Sequence, residues 1–173
     1  VEKWVIAQSD TIELKNKIKQ KGEILKAWKI KIYRGVVTGY NEAFIIDTET
    51  KKKIISQYPE SKEIIKPLLR GRDVHKYHYE WNSLWLIFTR RGVDINKYQG
   101  IKKYLEKYKE KLTPGKGRKP GTYKWYEIQD NTAYYTEFDK SKIIYPETTV
   151  RRSEFVFDDK KYYPDKTCFF FTG

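Results

Sequence analysis

Clusters of arginine and lysine are the residues of this chain whose types and spacing could do chemistry. Residues 68–73 read LLRGRD and residues 89–92 read TRRG. Residues 113–122 read TPGKGRKPGT, which predicts an exposed basic loop. The guanidinium fork binds phosphate or guanine in a bidentate manner, and it binds a carboxylate equally well. The segments therefore predict anion binding, with an internal Arg–Asp bridge or a merely solvated loop as the alternatives.

The charge of the chain indicates a polyanionic partner. Net charge is +13, from 36 Lys and Arg against 23 Asp and Glu, so nucleic acid is the first candidate. A membrane is not expected, because no apolar run approaches the roughly 20 residues of a spanning helix and no signal-peptide pattern is present. We expect a cytoplasmic protein. Residues 100–124 hold nine cations and two acids, so this segment and the first half should form the positive surface.

Groups with the spacing of a catalytic or metal site are sparse. Asp47, Glu60 and Lys62 imitate a nuclease pattern in which two carboxylates hold Mg²⁺ and a lysine polarises water, but Glu-x-Lys recurs elsewhere in the chain. His75 and His78 could share a helical face, yet they lack evident partners, and one cysteine cannot complete a zinc set. We expect no catalytic residue and no metal site, and keep a Mg-dependent nuclease as an alternative.

Residues 33–47, YRGVVTGYNEAFIID, contain two glycines four positions apart. Their spacing fits neither a P-loop nor a dinucleotide-binding loop, and the apolar run after the turn is typical of a strand. We therefore predict a β-hairpin whose glycines adopt positive φ. Its tip offers a hydroxyl, an amide and a bare backbone N–H to DNA, from Thr38, Asn41 and Gly39.

The helices and strands that must position these groups are themselves predicted from the sequence. Together they indicate a mixed α+β fold in one domain, residues 1–173. A basic helix is predicted at 96–112, where the apolar residues recur at helical spacing. Asp47 should cap the helix that precedes Pro59. The other predicted elements are a strand at 1–7, helices at 11–21 and 61–69, a buried strand at 81–90, and late, mostly antiparallel strands in KWYEIQ, KIIYP, SEFVF and TCFFF. Because the chain has no methionine and starts within a strand-like run, we interpret it as a domain excised from a larger protein.

The candidate contacts with DNA come from the tip, the arginine pairs and the basic segment. They are Thr38, Gly39, Asn41, Arg70, Arg72, Arg90, Arg91, Lys102, Lys103, Lys116, Arg118, Lys119 and Lys124. Residues 123–126, YKWY, interleave aromatic rings with a cation and could stack on an unpaired base. A general module for single-stranded nucleic acid is therefore a further alternative.

Five segments in order resemble the TaqI-like C-terminal specificity domain. They are residues 32–44, 66–74, 125–129, 142–146 and 163–167, which read IYRGVVTGYNEAF, KPLLRGRDV, WYEIQ, KIIYP and YPDKT. The resemblance implies a non-catalytic target-recognition domain of an adenine-specific DNA methyltransferase or a fused restriction-modification enzyme. The resemblance implies that such a domain binds double-stranded DNA opposite the methyltransferase domain of the same parent chain.

The resemblance also implies what this chain lacks. S-adenosylmethionine would belong to the parent, and Mg²⁺ only to a fused nuclease, so no cofactor is expected here. The Asn-Pro-Pro-aromatic motif of the methyltransferase is not in the sequence. Family members continue into further helices, so we expect the domain to extend beyond Gly173. Residues that read bases differ between specificities and cannot be transferred.

Overall fold

The computed structural model describes residues 8–149 and 153–173, which fall into two units. One is the described part of Val1–Lys31 with Gly173, and the other is Ile32–Thr172. The first holds helix α1, Ser9–Lys21, which ends as predicted at Gly22, whose N–H donates to the carbonyl of Ile18. The strand predicted at 1–7 lies outside the described residues.

The second unit combines short helices with two small sheets and a hairpin. Its helices are α2 (Asn41–Phe44), α3 (Thr48–Gln57), α4 (Gln99–Glu106) and α5 (Lys109–Leu112). The strands are β1 (Lys31–Arg34), β2 (Ile45–Ile46), β3 (Ile65–Leu69), β4 (Val74–His75), β5 (His78–Tyr79), β6 (Trp85–Ile87), β7 (Lys142–Pro146), β8 (Val156–Asp158), β9 (Tyr163–Pro164) and β10 (Cys168–Thr172). This architecture confirms the predicted α+β class.

Strand pairing defines the two sheets. The first has the order β1-β10-β7-β8 and the second β2-β6-β3-β9, while β4 and β5 pair only with each other. Strands β7 and β10 are antiparallel, as are β3 and β6, whereas β3 and β9 run parallel. The late strands KIIYP and TCFFF are confirmed in β7 and β10, and of SEFVF only the last two residues lie in a strand, β8.

Aromatic packing joins the two sheets into one core. Phe138, from the 3₁₀ turn Tyr135–Asp139, stacks on Tyr163 of β9 with ring centroids 4.9 Å apart. The ring of Phe138 also lies 4.9 Å from that of Phe170 on β10. Phe88 contacts Tyr163 edge-on at 5.0 Å. A single buried ring thus connects a strand of each sheet.

The region of the predicted hairpin has a different structure. Strand β1 pairs with β10, and after Gly39, at φ 80°, the chain enters α2 instead of returning along β1. Consecutive Ala43 and Phe44 are both fully buried, which a helical turn permits and an alternating strand does not. The hairpin prediction was therefore wrong, although positive φ is confirmed for Gly39.

Gly35 serves a different purpose, close approach of two backbones. A Cβ at this position would lie 2.0 Å from the carbonyl oxygen of Asp165. The neighbouring Val36 N–H donates to the carbonyl of Pro164 at 2.8 Å. Segments 32–44 and 163–167 therefore touch directly through the main chain.

Three further element predictions need correction. Residues 61–69 divide between a 3₁₀ turn, Pro59–Ile64, and strand β3, since Pro67 disfavours a helix interior. The basic helix breaks at Tyr108, at φ −110° and ψ 7°, between α4 and α5. Residues 124–129 form turns instead of the predicted strand KWYEIQ, because most of their carbonyls accept from Arg118 and Arg91 and no ladder with another strand forms. The N–H groups of Ile128 and Gln129 donate to the single carbonyls of Thr89 and Thr38. Among the described residues, no helix combines the length and apolar character needed to cross a bilayer.

Candidate nucleic-acid interface

Four of the five resembling segments meet at one cleft of about 1410 Å³. Its walls come from α2, the 3₁₀ turn Gly71–Asp73, the end of β7 and the loop after β9. The residues that line it include Asn41, Glu42, Arg70, Gly71, Arg72, His75, Pro146, Glu147, Thr148, Thr149, Glu154, Asp165, Lys166 and Thr167. Acids and bases are nearly balanced there, so the cleft offers both donors and acceptors.

Hydrogen bonds between segments hold the wall of the cleft. The Gly71 N–H donates to Thr167 Oγ1 at 2.8 Å, and that hydroxyl donates to Asp165 Oδ1 at 2.5 Å. Burial raises the pKa of Asp165, although the bonds from Thr167 oppose the rise. Arg70 is committed to Asp73, with Nε and Nη2 at 3.2 and 3.3 Å from its two carboxylate oxygens. Arg70 is therefore an internal bridge, the alternative that the sequence left open.

Arg72 and Asn41 are the exposed candidates at the cleft. Arg72 makes no hydrogen bond or ion pair within the described residues, so its guanidinium is available to a ligand. Asn41 accepts from the Thr38 hydroxyl at 2.6 Å, which leaves its amide NH₂ free to donate. Thr38 itself is buried, and a Cβ at Gly39 would meet the side chains of Gln129 and Arg118. The tip thus presents Asn41 outward and uses Thr38 for support.

Arg118 is a structural residue inside the predicted basic loop. Only 5% of it is exposed, and its guanidinium donates to backbone carbonyls on three sides, at Leu112 (2.8 Å), Glu127 (2.7 Å) and Trp125 (2.9 Å). A longer bond reaches Thr38 at 3.2 Å. Burial lowers the pKa of Arg118 to about 10. The expected DNA contact is incompatible with this burial, whereas the neighbouring Lys116 and Lys119 are exposed.

The arginines after β6 also make internal contacts. Arg91 donates to the carbonyls of Ile128 and, at 2.6 Å, Gln129, and it lies 3.8 Å from the Glu127 carboxylate. Arg90 lies over the ring of Tyr135, 4.0 Å from its centroid. These contacts fix residues 124–129 against the end of β6. Arg90 also donates to the carbonyl of Arg91 at 3.0 Å, and both arginines are half-buried.

A continuous series of lysines and tyrosines begins in a groove of about 520 Å³ between α3 and α4. Lys103 donates to Tyr58 Oη at 2.5 Å within this groove. The groove ends at Lys107, whose ammonium lies over Tyr104, 5.5 Å from the ring centroid. We call the series the basic row, and it comprises Lys53, Tyr58, Lys103, Tyr104, Lys107, Tyr108, Tyr40 and Lys111.

The second half of the basic row leads towards the cleft. Ring centroids of Tyr104 and Tyr108 are 5.8 Å apart, and those of Tyr108 and Tyr40 6.3 Å. Lys111 lies over Tyr40 at 5.6 Å. Tyr40 directly precedes Asn41 of the cleft. The row therefore joins the α3–α4 groove to the rim of the cleft.

Aromatic partners leave the charge of the row available. Within residues 8–149 and 153–173, no lysine of the row forms a salt bridge. Hydrogen bonding by the Tyr58 hydroxyl raises the pKa of Lys103, and Tyr40 does the same for Lys111. Both stay charged at neutral pH. Lys102 instead donates to Asn96 Oδ1 at 3.0 Å, and Lys124 is exposed near Tyr126.

Of the acidic residues in the nuclease pattern, Asp47 has a local structural role. Asp47 caps α3, accepting from the Thr50 N–H at 2.7 Å, and these bonds lower its pKa. Glu60 and Lys62 lie in the 3₁₀ turn Pro59–Ile64. The Asp47 carboxylate is therefore already committed to the helix terminus.

Comparison with known proteins defines the class. The family model of the TaqI-like C-terminal specificity domain matches residues 66–173. The chain belongs to this family. A curated relative, the type II methyltransferase M.PaeR7I of Pseudomonas aeruginosa, is 25% identical over 99% of this chain. The chain spans 29% of the length of that relative.

Two solved structures are similar to this chain, and the first of them shares its fold. One is the type IIL restriction-modification enzyme MmeI in complex with DNA, with a TM-score of 0.55, 15% identity, and coverage of 83% of this chain and 19% of that one. Another is the type IIG restriction endonuclease BpuSI, with a TM-score of 0.49, 14% identity, and coverage of 96% and 21%. The likeness to MmeI supports the architecture described above.

Proposed function

We propose that this chain recognises a specific sequence of double-stranded DNA as the specificity domain of a larger protein. The observation that carries the proposal is the basic row, which places unpaired ammonium groups and aromatic faces in a line that ends at a polar cleft. Lysines in such a line neutralise successive phosphates, which supplies affinity without sequence preference. Specificity then has to come from the cleft.

The cleft suits base readout better than phosphate binding. Its charges are balanced, so it does not attract anions in general, but it combines an exposed guanidinium, an amide and carboxylates. Arginine pairs with guanine, an amide with adenine, and a carboxylate accepts from cytosine. In our proposal Arg72 and Asn41 contact base edges while the basic row holds the backbone. Lys116, Lys119 and Lys124 add phosphate contacts beside the row.

The parent protein is proposed from the family and the relative. We infer an adenine-specific DNA methyltransferase that binds S-adenosylmethionine in a separate domain and acts in the cytoplasm. A fused endonuclease would bring its own Mg²⁺. In this arrangement the present chain performs no catalysis, and its partners are double-stranded DNA and the methyltransferase domain.

Competition between nucleic acids tests the proposal. A labelled duplex of random sequence is bound to the chain at low salt, and unlabelled duplex or single strand of equal length is added. We expect the duplex to compete better than the single strand, because the regularly spaced phosphates of a duplex match a continuous row of cations. Better competition by the single strand would favour stacking on the exposed rings and would overturn the assignment.

A nicking assay separates binding from catalysis. The chain is incubated with supercoiled plasmid and Mg²⁺, beside the Glu60→Ala variant. We expect neither protein to nick the plasmid. Mg²⁺-dependent nicking that is lost in the variant would establish the nuclease alternative instead.

A further inference from the structure

The β4–β5 hairpin brings together three side chains of the kind that bind metal ions. His75 and His78 are directly paired across the hairpin, so their side chains lie on one face, with ring centroids 5.1 Å apart. Glu80 follows His78 by two positions and shares that face. The ligand atoms of all three residues lie within 4.8 Å of one another.

We propose that His75, His78 and Glu80 bind a divalent transition-metal ion of the Zn²⁺ type. Two imidazole nitrogens and one carboxylate oxygen form a donor set that such ions prefer, whereas Mg²⁺ and Ca²⁺ prefer oxygen alone. His75 Nε2 and Glu80 Oε2 are already 4.0 Å apart. Tetrahedral coordination at about 2.0–2.1 Å needs separations of about 3.3 Å, which small side-chain rotations supply.

The backbone of the hairpin prepares one ligand for this role. His78 Nδ1 lies 3.2 Å from the carbonyl oxygen of Lys76. When Nδ1 carries the proton and donates to that carbonyl, Nε2 is the free donor, which is the arrangement found for most metal-binding histidines. The tight turn is anchored as well, because the Tyr77 N–H donates to the carbonyl of Phe155 at 2.9 Å.

The position of the site determines which coordination positions of the metal ion would be open to other ligands. His75 lines the cleft, while Glu80 is 75% exposed, so the ion would sit at the rim with coordination positions open to solvent. Three protein ligands with an open position allow a further oxygen ligand to bind. The three ligands belong to the hairpin and to Glu80 directly after it, so metal binding does not depend on the proposed binding of DNA.

Titration with Zn²⁺ tests the site. Isothermal titration calorimetry on the full chain should show one saturable site, and Co²⁺ should produce visible absorption typical of few-coordinate nitrogen and oxygen ligation. His75→Ala and His78→Ala should each weaken Zn²⁺ binding by roughly tenfold or more. Lys76→Ala is the matched control, because it keeps the carbonyl that orients His78, and it should bind as the wild type does.

Two results would overturn the proposal. One is the lack of saturable Zn²⁺ binding by the wild type, and the other is equal binding by the wild type and both histidine variants. Imidazole NMR signals provide a second readout, because Zn²⁺ should shift the ring resonances of both histidines in the wild type. Circular dichroism confirms that each variant is folded.

Discussion

Arginines and lysines of this chain divide into buried cations that hold the backbone and exposed ones that face outward. Arg118 is buried and Arg91 and Arg70 are partly buried, and all three belong to the first group because their guanidinium groups donate to carbonyl or carboxylate oxygens. Arg72 and the lysines of the basic row belong to the second. The sequence presents both groups alike, because burial depends on which loops fold over a side chain.

Replacing Arg118 tests this division. Arg118→Ala leaves several buried carbonyls without a donor, so the free energy of unfolding should fall by about 2–4 kcal/mol. Arg118→Lys should not restore it, because one ammonium cannot reach carbonyls on three sides. Lys119→Ala, at an exposed neighbour, should change it by less than about 0.5 kcal/mol. Urea denaturation measures all three, and an equally stable Arg118→Ala variant would contradict the structural role.

The stability of the fold should depend on pH through the carboxyl group of Asp165. Its pKa is raised by burial, so the folded protein keeps this proton at a higher pH than the unfolded chain does. The carboxyl group therefore stabilises the fold at acid pH, and that contribution is lost as the pH rises through the folded pKa. Because an asparagine amide does not titrate, the stability of Asp165→Asn relative to the wild type should increase as the pH rises through the folded pKa of Asp165.

Urea denaturation at several pH values measures the effect at Asp165. The exposed Asp159→Asn variant, which also replaces a carboxylate by an amide, serves as the matched control. A difference for Asp165→Asn that does not change with pH, or that moves in the opposite direction, would contradict the assignment.

At the level of elements, prediction succeeded where a local signal sufficed. Helix α3 has its cap at Asp47, and the late strands β7 and β10 lie where their apolar patterns indicated. The hairpin predicted for residues 33–47 was wrong because β1 pairs with β10, more than 130 positions away in the sequence. A turn with glycine and an apolar run cannot reveal so distant a pairing. The expected helical face for His75 and His78 does not include Glu80, whereas the β4–β5 hairpin brings the three residues together.

The cap of α3 supplies a prediction at this level. Asp47→Ala removes the acceptor of the Thr50 N–H and should lower the free energy of unfolding by about 1 kcal/mol. Asp47→Ser should retain most of the stability, because a serine hydroxyl also caps. Thermal unfolding followed by circular dichroism compares them. Equal losses in the two variants would show that capping is not the role of Asp47.

At the level of the whole molecule, the sequence predicted a positive surface. In the structure, lysines of this surface form the basic row. The charge of residues 100–124 indicated that this segment contributes to the positive surface. The contacts of lysines with aromatic rings and the burial of Arg118 then showed which cations are free to bind a ligand. Five ordered segments indicated the family, and four of them meet at the cleft. Specificity remains the property least accessible from sequence, because it depends on which side chains stay unpaired at the rim.

The dependence of duplex binding on salt tests the central claim most directly. Affinity for a fluorescent duplex is measured by anisotropy over a range of salt concentrations, for the wild type, for Lys107→Ala/Lys111→Ala, and for the control Lys160→Ala/Lys161→Ala, which removes two exposed charges elsewhere. The basic row predicts that log K falls steeply with log[salt] and that the slope is reduced by about 2 in the row variant alone. A wild-type affinity independent of salt, or equal slopes in the row and control variants, would contradict it.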